Sequence, residues 1–258
     1  MQTRQSVISE NANKFRGSYV PVYKGDCENR PYHAGTLVGI DLGHRVVLVT
    51  ARHVLDKDQS NPCDEQNQIY AVIDGQMVQL NRLETALLPL PDGEVLDVLV
   101  FVPGSADPQE VVREPVPAYA LRREALTKNH YLVACGFPRT KNRRKGKELS
   151  VRPYGYFGLL APESTTRAAG YDPSFHFSIE IDLKRTYRDG LRKVKAAEPQ
   201  GISGGPVFLV YDFGSVLPAA CEFAGIVIAR APNKKSLVCV RADLVALIAA
   251  ERFGGVEV

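Results

Sequence analysis

The sequence predicts an all-β protein built as two barrels and closed by one C-terminal helix. Three observations carry that expectation: a series of short β-branched runs bounded by turn residues, a Pro-rich stretch dividing the series, and helical periodicity confined to the chain's end. A chain of 258 residues can bury one large core or two small ones, and β folds of this size pack as one compact unit. A single domain over 1–258 is therefore expected, with one barrel over 15–110, a second over 111–242 and a helix over 243–253.

The first group of runs is GTLVGI (35–40), RVVLVTA (45–51), IYAVI (69–73) and VLDVLVFV (95–102). Asp41-Leu42-Gly43-His44 and Asp74-Gly75 supply hairpin turns, because Asp and Gly tolerate the left-handed backbone that tight turns require. VPGSADPQEVVREPVPAY (102–119) is too rich in proline to continue a sheet and reads as the connection between halves. A second group follows: YLVACGF (131–137), FHFSIEI (175–181), PVFLVY (206–211) and FAGIVIA (223–229). Near the end, Leu244, Leu247 and Ile248 share one helical face, Asp243 can cap that helix, and Gly254-Gly255 stops it.

Bulk properties narrow the function classes. A formal net charge of +3 gives no overall field for nucleic acid or a membrane surface, so neither partner is expected. The basic segments KNRRKGK (141–147) and KRTYRDGLRKVK (184–195) read as solvated hairpin tips rather than phosphate contacts. The amino-terminal segment lacks the apolar core of a secretory signal and no apolar run reaches membrane-spanning length, which leads us to expect a cytoplasmic protein. Cys27, Cys63, Cys135, Cys221 and Cys239 are odd in number and show no CxxC pair, so buried thiols are expected rather than a disulfide framework or zinc. A Cys27/His33/Cys63 metal site can be drawn, but its spacing matches no ligand pattern; no metal and no cofactor are expected.

Three local signatures stand in order: Val49-Thr50-Ala51-Arg52-His53-Val54-Leu55, then Leu96-Asp97-Val98-Leu99-Val100, then Gly201-Ile202-Ser203-Gly204-Gly205-Pro206. A serine hydroxyl is a poor nucleophile at neutral pH and needs a base within hydrogen-bond reach, and that base needs a partner to fix its tautomer. A Ser, a His and an Asp, each at the edge of an apolar run, fit that requirement. Over roughly residues 30–250 the set resembles the trypsin-like (chymotrypsin-fold) serine peptidases, in which TAxH carries the base, D-apolar-apolar the orienting acid and GxSGGP the nucleophile.

The resemblance implies two six-stranded antiparallel Greek-key barrels, an active site in the cleft between them, and a catalytic triad of His53, Asp97 and Ser203. It also implies an oxyanion hole from the N–H groups of Gly201 and Ser203; losing one such donor typically costs about 3 kcal/mol of transition-state stabilisation. Ala197, Gln200, Ile228, Ala229 and Arg230 fall at substrate-contacting positions. The expected activity is that of a serine endopeptidase acting through an acyl-enzyme on a restricted protein or peptide substrate, in a bacterial, regulated setting that could include a partner protein. The alternative is a catalytically latent barrel pair that binds a peptide without cutting it.

Two departures bear on that expectation. Ile202 stands where secreted digestive members carry an acid that pairs with a newly cut amino terminus, so that activation route is absent and Ile202 must pack inward. Gly225-Ile226-Val227-Ile228-Ala229-Arg230 aligns with the family's GIVSWG strand, so Arg230 replaces a small residue at the pocket, and Ala197 replaces the acid of Lys/Arg-specific members. Arg230 either fills the pocket, leaving room for small side chains, or receives an acidic one.

Overall fold

A computed structural model describes residues 15–25, 31–56, 68–91, 93–122, 124, 126–127, 131–142, 144–145, 148–149, 151–188, 192–194, 197–210, 221–232 and 235–254. The first sheet comprises β1 (Tyr19–Gly25), β2 (Pro31–Asp41), β3 (Val46–Thr50), β4 (Ile69–Ile73), β5 (Gln76–Gln79), β6 (Arg82–Ala86), β7 (Leu99–Pro103) and β8 (Val116–Pro117). Its strands lie in the order β5, β4, β1, β2, β3, β7, β6, with β8 added in parallel to β2.

After a two-stranded ribbon formed with β10 (Arg144–Lys145) and β11 (Glu148–Leu149), the second sheet uses β9 (Tyr131–Gly136), β12 (Tyr154–Leu160), β13 (His176–Arg188), β14 (Arg192–Val194), β15 (Pro206–Val210), β16 (Cys221–Arg230) and β17 (Ser236–Arg241). Its order is β12, β9, β15, β16, β17, β13, and β13 pairs back onto β12, which closes a six-stranded antiparallel barrel; β14 extends β13 outside the ring. Short helices α1 (Arg52–Leu55), α2 (Pro108–Val111) and α3 (Glu163–Ala168) lie in connections, and α4 (Ala242–Phe253) ends the described chain.

Every residue of β3 is buried, which explains its unbroken Val-Val-Leu-Val run in place of an alternating one. The expected turns form: Leu42 N–H donates to Arg45 O at 2.9 Å, and Asp74 and Gly75 take φ of 50° and 79°, the pair of left-handed residues that matches the twist of a two-residue hairpin. The 95–102 run differs from expectation, since pairing in β7 begins only at Leu99. Among the strands that the sequence did not mark, β1 contains Pro21 and β12 contains Gly155 and Gly158, which break the apolar alternation of a strand. In α4 the cap expectation needs correction: Arg241 is the N-cap residue, and Asp243 sits in the first turn with its carboxylate held by Arg241 Nε at 3.0 Å and Nη2 at 2.6 Å. Gly254, with φ of 71°, ends the helix as read.

One buried cluster joins the first sheet to the facing side of the second and to α4; another, including Leu132, Tyr156, Ile179, Ile202 and Leu237, fills the closed barrel. Polar contact between the sheets concentrates at Thr36 on β2, which is fully buried. Its N–H donates to Ser203 O at 2.8 Å, its carbonyl accepts from Thr50 Oγ1 at 2.6 Å, and its Oγ1 accepts from Phe137 N–H at 3.2 Å. Thr36→Val keeps the shape but strips Phe137 N–H of its acceptor, and a buried orphaned donor costs about 1–3 kcal/mol. Urea unfolding should show that loss as a lower midpoint at unchanged slope; a midpoint equal to wild type would remove Thr36 Oγ1 as a fastener.

Candidate active site

His53 enters the cleft because the chain leaves β3 at Ala51 and turns immediately into α1, whose Val54 and Leu55 are anchored in the core. The preceding half of the cleft is supplied by the irregular approach to β7. Leu96 and Val98 are buried, so the residue between them points the other way, and Val98 N–H folds back to Leu96 O at 2.7 Å to hold Asp97 outward. Both carboxylate oxygens of Asp97 meet the same residue: Oδ2 accepts from His53 Nδ1 at 2.7 Å and Oδ1 from His53 N–H at 3.0 Å. With the Nδ1 proton facing a carboxylate, Nε2 is left with its lone pair available. The pair is accessible, with side-chain exposures of 50% for His53 and 28% for Asp97.

Ser203 lies in a loop whose peptide planes are fixed from behind. Gln200 O accepts from Arg139 N–H at 2.7 Å, and Ile202 O accepts from Gly205 N–H at 2.8 Å. In a planar trans peptide the N–H points opposite the C=O, so these two bonds aim Gly201 N–H and Ser203 N–H away from their anchors. Neither N–H has a hydrogen-bond partner among the described residues. Gly201 takes φ of 92° and Gly204 φ of 83°, and a Cβ on Gly204 would lie 2.0 Å from Thr36 O, so the loop and β2 meet only because that position is glycine. Ile202 is buried in the barrel interior, as expected. No hydrogen bond joins Ser203 Oγ to His53 among the described residues; such bonds are often long in the absence of substrate.

The positions assigned to substrate contact are distributed unevenly. Ala197 is buried and its carbonyl accepts from Tyr156 Oη at 3.1 Å, Ile228 is buried beside the bulge in β16, and Ala229 is half-buried. Gln200 is exposed and borders a groove with His33 and Arg139. Arg230 Nη1 donates to Glu198 Oε2, linking β16 to the segment that precedes Ser203. Burial, followed by the charges of Tyr154 and Glu198, pushes the Tyr156 phenol far above its ordinary range, against a smaller downward pull from Arg230.

These elements have counterparts of known structure. The Rv3671c protease of M. tuberculosis in its active form is 17% identical and aligns over 99% of this chain and 88% of its own, with a TM-score of 0.50. Neuropsin, a serine protease of mouse brain, is 14% identical over 88% of this chain and 90% of its own, with a TM-score of 0.50. A scabies mite inactivated protease paralogue, S-I1, is 12% identical over 91% of this chain and 93% of its own, with a TM-score of 0.56. This chain has the trypsin-like serine protease fold. No family model matches the sequence, and no curated protein matches it. Because the trypsin-like fold is shared by an active protease and an inactivated paralogue, the fold alone does not decide activity.

Within the trypsin-like frame, several contributors were invisible in the sequence. Thr36, Glu198, Tyr156 and Arg139 reach the site through partners far along the chain, and no local pattern marks them. Tyr171 and His176 sit near Asp97: burial and then the Asp97 charge raise the Tyr171 phenol, while burial lowers His176 against an upward pull from Asp172 and Asp97. Cys27 and Cys63 of the drawn metal site lie outside the described residues, as do several residues of the two basic segments. Among the described residues no helix is long and apolar enough to cross a membrane.

His33 lies under Gly201, where burial first and the Arg139 charge second lower its pKa to about 4, against a small upward pull from Gly35. The unfolded chain then binds the proton more readily than the folded one between about pH 6.5 and 4, so His33 removes stability as pH falls through that window. Wild type should lose about 3 kcal/mol relative to His33→Phe between pH 7 and pH 4 in chemical unfolding. Parallel curves for the two proteins would show that His33 is not held neutral.

Proposed function

We propose that this protein is a serine endopeptidase, with Ser203 as nucleophile, His53 as general base and acid, and Asp97 as the orienting carboxylate. The supporting observation is the double contact of Asp97 with His53, which fixes both the ring's tautomer and its backbone. On this reading Ser203 Oγ bonds to the scissile carbonyl carbon while its proton passes to His53 Nε2. The carbonyl oxygen gains negative charge opposite Gly201 N–H and Ser203 N–H. The C–N bond then breaks as the imidazolium returns its proton to the leaving amine, and water repeats the sequence on the acyl-enzyme.

We further assign Arg230 and Glu198 to the wall of the pocket that receives the residue before the cut. Their ion pair crosses from β16 to the nucleophile segment, and the Arg230 charge already has its counter-ion. A small side chain is therefore favoured over an acidic one, and Arg230→Gly should open the pocket to larger residues. A bacterial, cytoplasmic and regulated setting with a restricted protein substrate accompanies this proposal as its biological frame.

A fluorophosphonate probe should label wild type and not Ser203→Ala, and Asp97→Asn should cut turnover of a cleavable peptide by about 10⁴-fold. Absence of labelling in folded wild type would favour the latent, peptide-binding reading. In a peptide series varied before the cut, Ala should exceed Phe and Asp in kcat/KM, with Phe gaining at least about tenfold in Arg230→Gly. An Asp preference in wild type would reverse the pocket assignment.

A further inference from the structure

On the β2 side of the nucleophile loop lies a groove of about 510 Å³ lined by Tyr23, Tyr32, His33, Arg139, Asn142 and Gln200, among others. Its floor is polar and poorly satisfied. His33 is 5% exposed and Tyr23 1% exposed, yet among the described residues Tyr23 Oη lacks a hydrogen-bond partner and the His33 ring nitrogens meet at most the Gly35 backbone, without good hydrogen-bond geometry. The two rings meet edge to face at 5.3 Å, so each holds the other's polar atoms in place. Buried polar atoms are nearly always well paired, and the poorly satisfied Tyr23 and His33 side chains together in one groove mark a place where a polar ligand completes the structure. Asn142 does not contribute, because its amide is saturated by Pro138 O, Arg152 O and Arg152 N–H.

The chemistry of the lining selects the ligand. Burial keeps Tyr23 a phenol, pushed up to about 12, and keeps His33 neutral, so each offers one hydrogen-bond donor. The Arg139 side chain is exposed, makes no ion pair among the described residues, and faces no carboxylate in the groove lining. One planar cation and two neutral donors match a planar, singly charged acceptor.

Position selects its source. A Cβ on Gly201 would lie 3.0 Å from His33 Cε1 and Nδ1, and one on Gly35, two residues along β2, would lie 2.8 Å from Ser203 O. The Ser203 loop is held to β16 by Gly204 N–H donating to Val227 O and to β2 by Thr36 N–H donating to Ser203 O, and the groove adjoins it on the β2 side. On the endopeptidase reading, a peptide that lays its acyl part along β16 would carry its leaving part toward the β2 side of Ser203.

We propose that the groove formed by Tyr23, His33 and Arg139 is a carboxylate-binding site that recognises an acidic residue on the leaving side of the scissile bond. The carboxylate site stands on the groove itself, whereas its leaving-side role rests on the endopeptidase reading above.

The test uses the full chain labelled with ¹³C at histidine. Titrating N-acetyl-glutamate α-amide should move the His33 ring signal saturably, N-acetyl-glutamine amide should not, and Arg139→Gln should weaken the interaction at least about tenfold. His33→Phe identifies the signal. Equal shifts from the two probes, no shift, or indifference to Arg139→Gln would overturn the site. In a second arm, quenched peptides carry Glu, Gln or Lys at each of the first three leaving-side positions. Glu should raise kcat/KM at least about tenfold over Gln at one position, and Arg139→Gln should abolish that preference. A saturable shift without any positional preference would assign the carboxylate to a separate ligand and overturn the leaving-side role. If no peptide is cut and no fluorophosphonate label is taken up, the endopeptidase reading and the leaving-side role fall together, while the titration still decides the groove.

Discussion

Thr36 couples the two halves of the molecule at the point where chemistry would occur. Through its N–H it holds Ser203 O, and through its carbonyl it holds Thr50, the residue from which the chain runs on through Ala51 to His53. Its hydroxyl oxygen holds Phe137 at the end of β9, just before the segment that anchors Gln200. Each bond is worth only about 1 kcal/mol net, but a buried partner left unmade costs more than that, so the three are expensive to break separately. The separation of Ser203 and His53 is thus set by one buried residue on β2 and not by the cleft's open face. Gly204 is what admits this arrangement, since a side chain there would occupy the space of the Thr36 carbonyl.

The loop around Ser203 is ordered without a buried charge. Ile202 inserts into the closed barrel, where full burial of such a side chain is worth about 1.5–3 kcal/mol, and the peptide planes on either side are held by Arg139 N–H and Gly205 N–H. An ion pair buried at the same place would have to repay the desolvation of both partners. An apolar anchor has no such debt and no titration, so the orientation of Gly201 N–H and Ser203 N–H does not depend on an amino terminus produced by cleavage.

What could be read from the sequence was whatever is local. β3 was legible because a buried β-branched run is written in consecutive residues; so were the Asp41 and Asp74 turns, whose backbone demands Gly or Asp, whereas the short helix α1 lacks any periodicity of its own and was not. The contact between His53 and Asp97 was reachable through motif order alone. Thr36, Glu198, Arg139 and the Tyr23–His33 pair were not legible, because their roles arise from approaches across sheets that no window of sequence contains. Asp243 shows the converse failure: a good capping residue in the right neighbourhood was taken up by Arg241, and the helix began one residue earlier with no side-chain cap.

The two sides of Gly201 are opposed in their polar balance, and this opposition carries the argument about selectivity. Toward β16, Glu198 satisfies Arg230, and Tyr156 satisfies the Ala197 carbonyl, so a ligand there meets saturated groups and is sorted by size. Size discrimination is shallow, because one methylene in an apolar pocket changes a rate by roughly 10–200-fold. Toward β2, among the described residues, Tyr23 Oη and the Arg139 guanidinium have no partner and His33 is poorly satisfied, so on the carboxylate-site proposal a ligand without hydrogen-bonding groups would be rejected there more strongly than by size. A protease with this cleft would therefore take its broad filter from the side before the cut and its narrow one from the side after it.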